Sequence, residues 1–225
     1  MTNENIQSFI TQNFAPWPHL SADEQTKLLS NGSLISFNKG ANLHNGDEQC
    51  VGLLLIVSGS IRVYILSEQG REITLYRLKK GDTCVLSASC VLSEITFDVH
   101  IDAEQATQAI LISSACFANL RAQNIYVANY AYQLTTERFS DVMWAMQQIL
   151  FMSMDKRLAI FLWDELSKTT DQTIHLTHEQ IAKYLGSARE VVSRMLKYFA
   201  DEGIVEVTRG GITITDKNKL KLMTL

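Results

Sequence analysis

The seven-residue period of the apolar and small side chains in Asn119–Phe151 most restricts the fold of this chain. These 33 residues include neither glycine nor proline. This pattern predicts a long helix with a narrow stripe suited to coiled-coil pairing. A dimerisation helix is therefore predicted over residues 119–152; packing of the helix on its own domain is the alternative. The predicted dimer seam consists of Ile125, Tyr132, Phe139, Val142, Met146 and Ile149.

Short apolar runs separated by glycine and aspartate precede this helix. Gly59, Gly70 and Gly81 lie eleven residues apart, and each supplies the backbone freedom that a tight turn requires. Strands at such spacing are typical of an antiparallel barrel or sandwich. The region from about Asn31 to Ser114 is therefore predicted to be all-β, with strands at Leu53–Val57, Ile61–Leu66, Ile73–Leu78 and Ala109–Ile112.

The segment after the long helix, residues 153–225, is predicted to be a helical unit that ends in a hairpin. Thr177 and Gln180 have the spacing of a capping box at the start of one helix, and Gly186 ends that helix. A further helix is predicted to begin at Ser187. The sequence Arg209-Gly210-Gly211 joins two short β runs as a hairpin turn. The other predicted elements are a helix at Met154–Leu166 and strands at Ile204–Val207 and Ile212–Thr215.

The uneven charge along the chain permits contact with a nucleic acid through a small local surface, but does not by itself indicate it. The net charge is −4, yet residues 153–225 carry 11 Lys and Arg against 10 Asp and Glu. No apolar run approaches the roughly 20 residues of a membrane helix, and the start lacks the pattern of a signal peptide. The four cysteines form no Cys-x-x-Cys pair, so no metal site is predicted. A cytoplasmic location, with no membrane partner, is expected.

The segment His178–Lys197, HEQIAKYLGSAREVVSRMLK, resembles the helix-turn-helix of the Crp/Fnr superfamily of transcription regulators. The β region carries two further landmarks of that superfamily, VSGSIRVY at Val57–Tyr64 and KKGD at Lys79–Asp82. The resemblance implies an α+β protein in three parts. These are a β-roll sensor domain of the cupin-like jelly-roll type (1–118), a dimerisation helix (119–152) and a winged helix-turn-helix (153–225).

The resemblance also implies how DNA is read. Arg189, Glu190 and Arg194 would reach base edges, because arginine can donate to guanine and glutamate can accept from cytosine. The expected site is a GTGA-type inverted repeat, bound by a homodimer with RNA polymerase as a further partner. The alternative is a solvated, internally paired helix face. Phosphate contacts are expected from Thr177, Ser187, Ser193, Lys197 and Arg209.

The expected effector is not cyclic AMP. Cyclic-nucleotide binders of the superfamily hold the ligand with a Gly-Glu pair and an Arg-Ser pair. Val85-Leu86 and Thr96-Phe97 stand at those places here, and no Arg or Lys occurs between Asp82 and Leu120. The first 49 residues contain no cysteine, which removes the N-terminal cysteine group of the iron–sulfur relatives. No cofactor is predicted, and spacing gives no support to haem on His44, His100 or Cys84.

Two thiols remain as effector candidates. Cys84 and Cys90 are six residues apart, with small and hydroxylated residues between them. Such a pair is a candidate thiol-redox sensor. Burial of both as small core residues is the favoured interpretation, and an unknown small molecule is the other candidate effector.

Two other functions are disfavoured. A cupin-like metal enzyme needs a His-x-His pair with further ligands, and none of the five histidines forms one. The protein is therefore not expected to be an enzyme. A winged helix that binds a partner protein instead of DNA is the second rival.

Overall fold

A computed structural model describes residues 3–45, 52–85, 99–169 and 171–225. The chain divides into two compact units. The N-terminal unit comprises Met1–Ile65 and Leu75–Val142, and the C-terminal unit comprises Leu66–Thr74 and Met143–Leu225. The division falls inside the long helix and at the tip of one β-hairpin.

The helices and strands of the described ranges follow in chain order. The part before residue 114 contains α1 (Asn3–Asn13), a 3-10 turn (Trp17–His19), α2 (Ala22–Ser30), β1 (Gly32–Phe37), β2 (Asn42–Asn45), β3 (Leu53–Ser58), β4 (Ser60–Leu66), β5 (Glu72–Lys79), β6 (Thr83–Cys84), β7 (His100–Ala103) and β8 (Thr107–Ile112). The rest contains α3 (Ser114–Gln123), α4 (Ile125–Phe151), α5 (Met154–Leu166), β9 (Thr173–Ile174), α6 (His178–Leu185), α7 (Arg189–Asp201), β10 (Val205–Thr208), β11 (Gly211–Ile214) and α8 (Lys217–Leu222).

Two antiparallel sheets form the β-roll of the N-terminal unit. Their strand orders are β1-β8-β3-β6 and β2-β7-β4-β5. Leu54 and Ile56 of β3 pack in the core that also contains Ile61 and Val63 of β4, whereas the alternate side chains of β3 pack with the helices. Because β3 is buried on both faces, it is a continuous apolar run. The predicted α+β fold with an antiparallel β-roll is confirmed.

The predicted strands at Leu53–Val57, Ile61–Leu66, Ile73–Leu78 and Ala109–Ile112 all correspond to strands of the structure. Strand β1 and the helices α1 and α2 had no counterpart in the prediction. All residues of β1 are half-buried or exposed, so its apolar signal is weak.

Asn124 divides the predicted long helix into α3 and α4. Its backbone is extended, and its Oδ1 accepts a hydrogen bond from the Tyr126 amide at 3.0 Å. Asparagine is among the preferred helix N-caps, so α4 begins afresh at Ile125. The prediction of one helix from 119 therefore differs from the structure, which places ten helical residues, Ser114–Gln123, in a separate element. Within the described ranges, neither α4 nor any other helix is apolar enough over 18 residues to cross a bilayer.

The ends of α6 agree closely with the capping pattern. The Thr177 hydroxyl accepts from the Gln180 amide at 3.1 Å, and Gln180 Oε1 accepts from the Thr177 amide at 2.8 Å. Gly186 closes the helix in the left-handed region, with φ of 56°. The helix predicted to start at Ser187 in fact starts at Arg189. The Ser187 amide donates back to Ala182 at 2.9 Å, so it completes the end of α6 instead.

Glycines of the β-roll provide a matched stability test. Gly59 and Gly40 have φ values of 84° and 81°. A Cβ at Gly59 would lie 2.5 Å from the Ala106 carbonyl oxygen, whereas one at Gly40 would meet nothing within 4 Å. We expect Gly40→Ala to lower the free energy of unfolding by about 1–2 kcal/mol, and Gly59→Ala by roughly 1–3 kcal/mol more, because of crowding. Urea unfolding measures both; equal losses would contradict the crowding argument.

Candidate nucleic-acid interface

Helices α6 and α7 form a helix-turn-helix whose second helix presents charged residues to solvent. Val192, Leu196 and Phe199 of α7 are buried in the core of the C-terminal unit. The opposite face of α7 carries the exposed side chains of Arg189, Glu190, Arg194 and Lys197. The apolar period of α7 thus fixes which side chains point outward. The three predicted base-reading residues share this exposed region of one helix.

A histidine that the sequence prediction did not single out joins the two helices. Nδ1 of His178, the first residue of α6, lies 2.8 Å from the hydroxyl oxygen of Ser193 in α7. Both side chains are half-buried. Ser193 was predicted as a phosphate contact, and its hydroxyl is the group that makes this contact with His178. A spacing of fifteen residues has no local sequence signature, so only the fold reveals the pair.

A cleft of about 590 Å³ lies beside the start of α7. It brings together Thr177, Arg189 and Arg209, three of the predicted DNA contacts, although they come from three different segments of the chain. Ser187, Ser193 and Lys197 do not line it. The remaining lining residues are His175, Leu176, His178, Glu179, Val207, Thr208, Gly210, Gly211 and Ile212.

His175 connects the wing hairpin β10–β11 to the segment before α6. Its Nδ1 lies 2.9 Å from the Gly210 carbonyl oxygen, and its Nε2 lies 3.5 Å from Asp171 Oδ2. The Gly210 carbonyl and, second, the Asp171 carboxylate raise the pKa of His175 above its usual 6.5. A protonated imidazole would add positive charge at the mouth of the cleft.

The predicted dimer seam lies on α4, and most of it is exposed. Ile125, Tyr132 and Phe139 are each about two-thirds exposed, at 66%, 64% and 65%. Met146 and Ile149 are also exposed. Val142 differs, because it packs against the core between the two sheets. Exposed apolar residues of α4 that the heptad pattern did not include are Tyr126, Met143, Trp144, Leu150 and Phe151.

The predicted thiol pair is only partly described. Cys84, in β6, is fully buried in the core between the sheets. Cys90 lies outside the described residues, as do Leu86, Thr96 and Phe97. Val85 is buried among the side chains that pack the sheet against the helices. The burial of Cys84 favours its interpretation as a core residue; the redox pair itself stays a prediction.

Arg138 of α4 is a half-buried cation that the sequence prediction missed, because it lies outside the segment 82–120 that lacks positive charge. Its guanidinium lies 5.0 Å from the ring centre of Tyr76 and pairs with Asp141 at 3.0 Å and Glu137 at 3.2 Å. Within the described ranges, its Nε and the Tyr76 hydroxyl have no hydrogen-bond partner. Burial raises the pKa of Tyr76 well above its usual value.

Comparison with known proteins agrees with this arrangement. Residues 34–124 match the cyclic nucleotide-binding domain family, and residues 156–223 match the Crp-like helix-turn-helix domain family. A solved structure from Eubacterium rectale, assigned to transcriptional regulators of the Crp/Fnr family, is 44% identical with a TM-score of 0.91 and covers 95% of this chain and 99% of its own. This chain belongs to the Crp/Fnr superfamily of transcription regulators.

The names of curated Crp/Fnr relatives describe regulators with different roles. Electron transport regulator A of Shewanella oneidensis is 27% identical over 201 residues, covering 82% of this chain and 76% of its own. The cAMP-activated global transcriptional regulator CRP of Salmonella typhimurium is 25% identical over 186 residues, covering 75% and 82%. Membership of the Crp/Fnr superfamily therefore establishes a transcription regulator with a helix-turn-helix DNA-binding domain, and leaves the effector to be derived from this chain.

The raised pKa of His175 gives a test of the wing contact. Because its pKa is higher in the folded than in the unfolded protein, the stabilisation it contributes is present below the unfolded pKa near 6.5. It is lost as pH rises through the folded pKa. An NMR titration should give a pKa above 6.5, and Asp171→Asn should lower that pKa only part of the way to 6.5, since the Gly210 carbonyl remains.

Asp201→Asn, at an exposed site on α7, is the control and should leave the His175 titration unchanged. A wild-type pKa at or below 6.5 would contradict the wing contact.

Proposed function

We propose that this chain is a homodimeric regulator that reads a GTGA-type inverted repeat through α7. The observation that carries the proposal is the exposed Arg189, Glu190 and Arg194 on a helix whose opposite face is buried. Helix α6, capped at both ends, supports α7 across the Gly186 turn. In helix-turn-helix proteins the N-terminal residues of the second helix contact base edges.

Each base-reading residue has a chemical role in the proposal. Arg189 and Arg194 can each present two parallel donors to guanine O6 and N7, and Glu190 can accept from cytosine N4. Among the ion pairs given for the described residues, none involves these three side chains. This favours base reading over the alternative of an internally paired helix face, because no ion pair within the described ranges neutralises their charges.

Phosphate contacts would orient α7 in the major groove. Thr177 and Arg209 line the same cleft as Arg189, so they can contact the backbone while Arg189 reaches a base. Such contacts position the protein and set its salt dependence without reading sequence. The proposed set is completed by Ser187, Ser193 and Lys197.

A second copy of this chain is the proposed partner of α4. Val127, Ala131 and Leu134 pack inward, while Ile125, Tyr132 and Phe139 stay exposed on the same helix. Several large exposed apolar side chains along one helix are typical of an interaction surface. The seven-residue repeat favours pairing with a second helix, and a two-fold dimer matches an inverted repeat in DNA.

Cyclic AMP is not the proposed effector. Val85 is buried in the core, and Arg138, the cation that stacks on Tyr76, is already paired with Asp141 and Glu137. A cyclic-nucleotide phosphate bound by Arg138 would have to displace one of these two carboxylates from the guanidinium. An unidentified small molecule, or oxidation of Cys84 and Cys90, stays the proposed signal, and no cofactor or enzymatic activity is proposed.

RNA polymerase, as a partner in the cytoplasm, is proposed on family membership alone. Transcription in vitro with purified polymerase tests it.

Base reading and phosphate contact are separable by mutation. Arg194→Ala should lose about 1–3 kcal/mol of discrimination at the base pair it contacts. Lys197→Ala should weaken binding to all sequences alike and lower the salt slope by about one. Fluorescence anisotropy with the repeat, and with each half-site base pair replaced in turn, measures both. Equal loss across sequences for Arg194→Ala would rule out base reading by that side chain.

The same anisotropy assay bears on the effector. Added cyclic AMP is expected to leave the wild-type affinity unchanged. A tenfold change on mild oxidation that is absent from Cys84→Ser/Cys90→Ser would establish the thiol sensor. No change on oxidation would leave a small molecule as the effector.

The dimer seam is tested by a charge placed at its centre. Phe139→Glu should shift the protein from dimer to monomer in sedimentation velocity, because it puts a carboxylate into an apolar interface. DNA affinity should fall with it, since only one half-site is then bound. Gln12→Glu adds the same charge at an exposed position in α1 and should remain dimeric. A Phe139→Glu protein that stays dimeric would exclude the α4 seam.

A further inference from the structure

The tip of the β4–β5 hairpin, Leu66–Thr74, belongs to the C-terminal unit although its strands come from the β-roll. The tip is tightly held. Its Gly70 amide donates to the Ser67 carbonyl at 2.8 Å, and the Arg71 amide donates to the Ser67 hydroxyl at 3.0 Å. The residues that follow this turn are therefore presented in a fixed direction.

Four successive residues of the tip contact the end of α6 and the turn that follows it. The Arg71 guanidinium donates to the Gly186 carbonyl oxygen. Glu72 pairs with the Lys183 ammonium at 2.8 Å, and the Thr74 hydroxyl donates to the Lys183 carbonyl at 3.2 Å. Ile73 lies against Gly186, where a Cβ would come within 3.1 Å of its Cγ1.

The electrostatics of the α6 end favour this arrangement. The last carbonyl groups of a helix lack intrahelical donors and carry partial negative charge. Two arginines supply donors there, Arg71 to Gly186 and Arg157 to Leu185. Burial and, second, the nearby Arg71 charge lower the pKa of Arg157. Two cations are thus held close together because adjacent carbonyls offset their repulsion.

The hairpin tip leaves the base-reading side chains of α7 open. Its partners are Lys183 and Gly186, whereas Arg189, Glu190 and Arg194 are exposed to solvent. A blocking role would require contact with those three side chains, and the hydrogen bonds and ion pairs given for the described part of the tip lead to Lys183 and Gly186 instead. The tip instead holds the turn from which α7 begins.

We propose that Leu66–Thr74 is a clasp on the helix-turn-helix, in which Arg71, Glu72 and Thr74 act as positioning residues that hold α7 for DNA binding. The inference rests on the proposed function of α7. Because the clasp is the tip of a β-roll hairpin, strands β4 and β5 lead directly into the segment that contacts the turn between α6 and α7.

A charge swap tests the clasp in the full-length protein. Arg71→Ala, Glu72→Lys and Lys183→Glu should each weaken binding to the GTGA-type duplex about tenfold, and the Glu72→Lys/Lys183→Glu double variant should recover most of the loss. Lys80→Ala removes one exposed positive charge elsewhere and controls for general electrostatics. Amide hydrogen exchange at Gly186 and Ser187 gives a readout that is independent of DNA, and should accelerate in Arg71→Ala.

The outcomes separate the clasp from the proposed function. If Arg71→Ala accelerates amide exchange at Gly186 and Ser187 but leaves DNA affinity unchanged, the hairpin contact has only a structural role. That result would overturn the proposal. A rise in affinity would overturn it too, since the hairpin would then restrain α7. Failure of the wild-type protein to bind the duplex would remove the proposed function and this inference with it, whereas the exchange data would still report the contact itself.

Discussion

The packing of Val127, Ala131 and Leu134 on the sheet of the N-terminal unit is the contact on which the rest of the structure depends. These three side chains form one stripe of α4, so they fix the rotation of the helix about its axis. Removal of a buried leucine side chain typically costs about 2–5 kcal/mol. Because the rotation of α4 about its axis is fixed, Ile125, Tyr132 and Phe139 face outward. The folding of the β-roll therefore decides which face of α4 is offered to a partner.

Much of the fold could be predicted because its signals are local. Turn glycines, the Thr177–Gln180 capping box and the apolar run of β4 each depend on a few neighbouring residues, and the structure confirms them. The break at Asn124 had a local signal as well, since asparagine is a preferred N-cap, but the continuing heptad pattern concealed it. β1 gave little signal, because it is defined by its pairing with β8, a strand far away in the sequence.

For the candidate interface, the sequence predicted only which side chains of α7 are exposed. The apolar period of α7 predicts that Arg189 and Arg194 are exposed, whereas nothing in the sequence joins His178 to Ser193 or brings Arg209 to the cleft. Arg138 shows the same limit in the N-terminal unit, because a cation supplied by α4 has no signature in the sequence of the strands around Tyr76. Contacts between distant segments follow from topology, which local patterns do not contain.

Gly186 has its identity fixed by two unrelated requirements. Its φ of 56° favours glycine but would also admit asparagine, whereas any Cβ at this position would lie 3.1 Å from Ile73 Cγ1, which is tighter than an ordinary contact. In an isolated helix-turn-helix, only the positive φ would restrict the residue at this position. In this chain the residue at position 186 is thus also restricted by Ile73, a side chain from a distant part of the sequence. A helix-turn-helix taken from a relative would have to fit the hairpin tip Leu66–Thr74 of this chain. The two segments can therefore be exchanged only together.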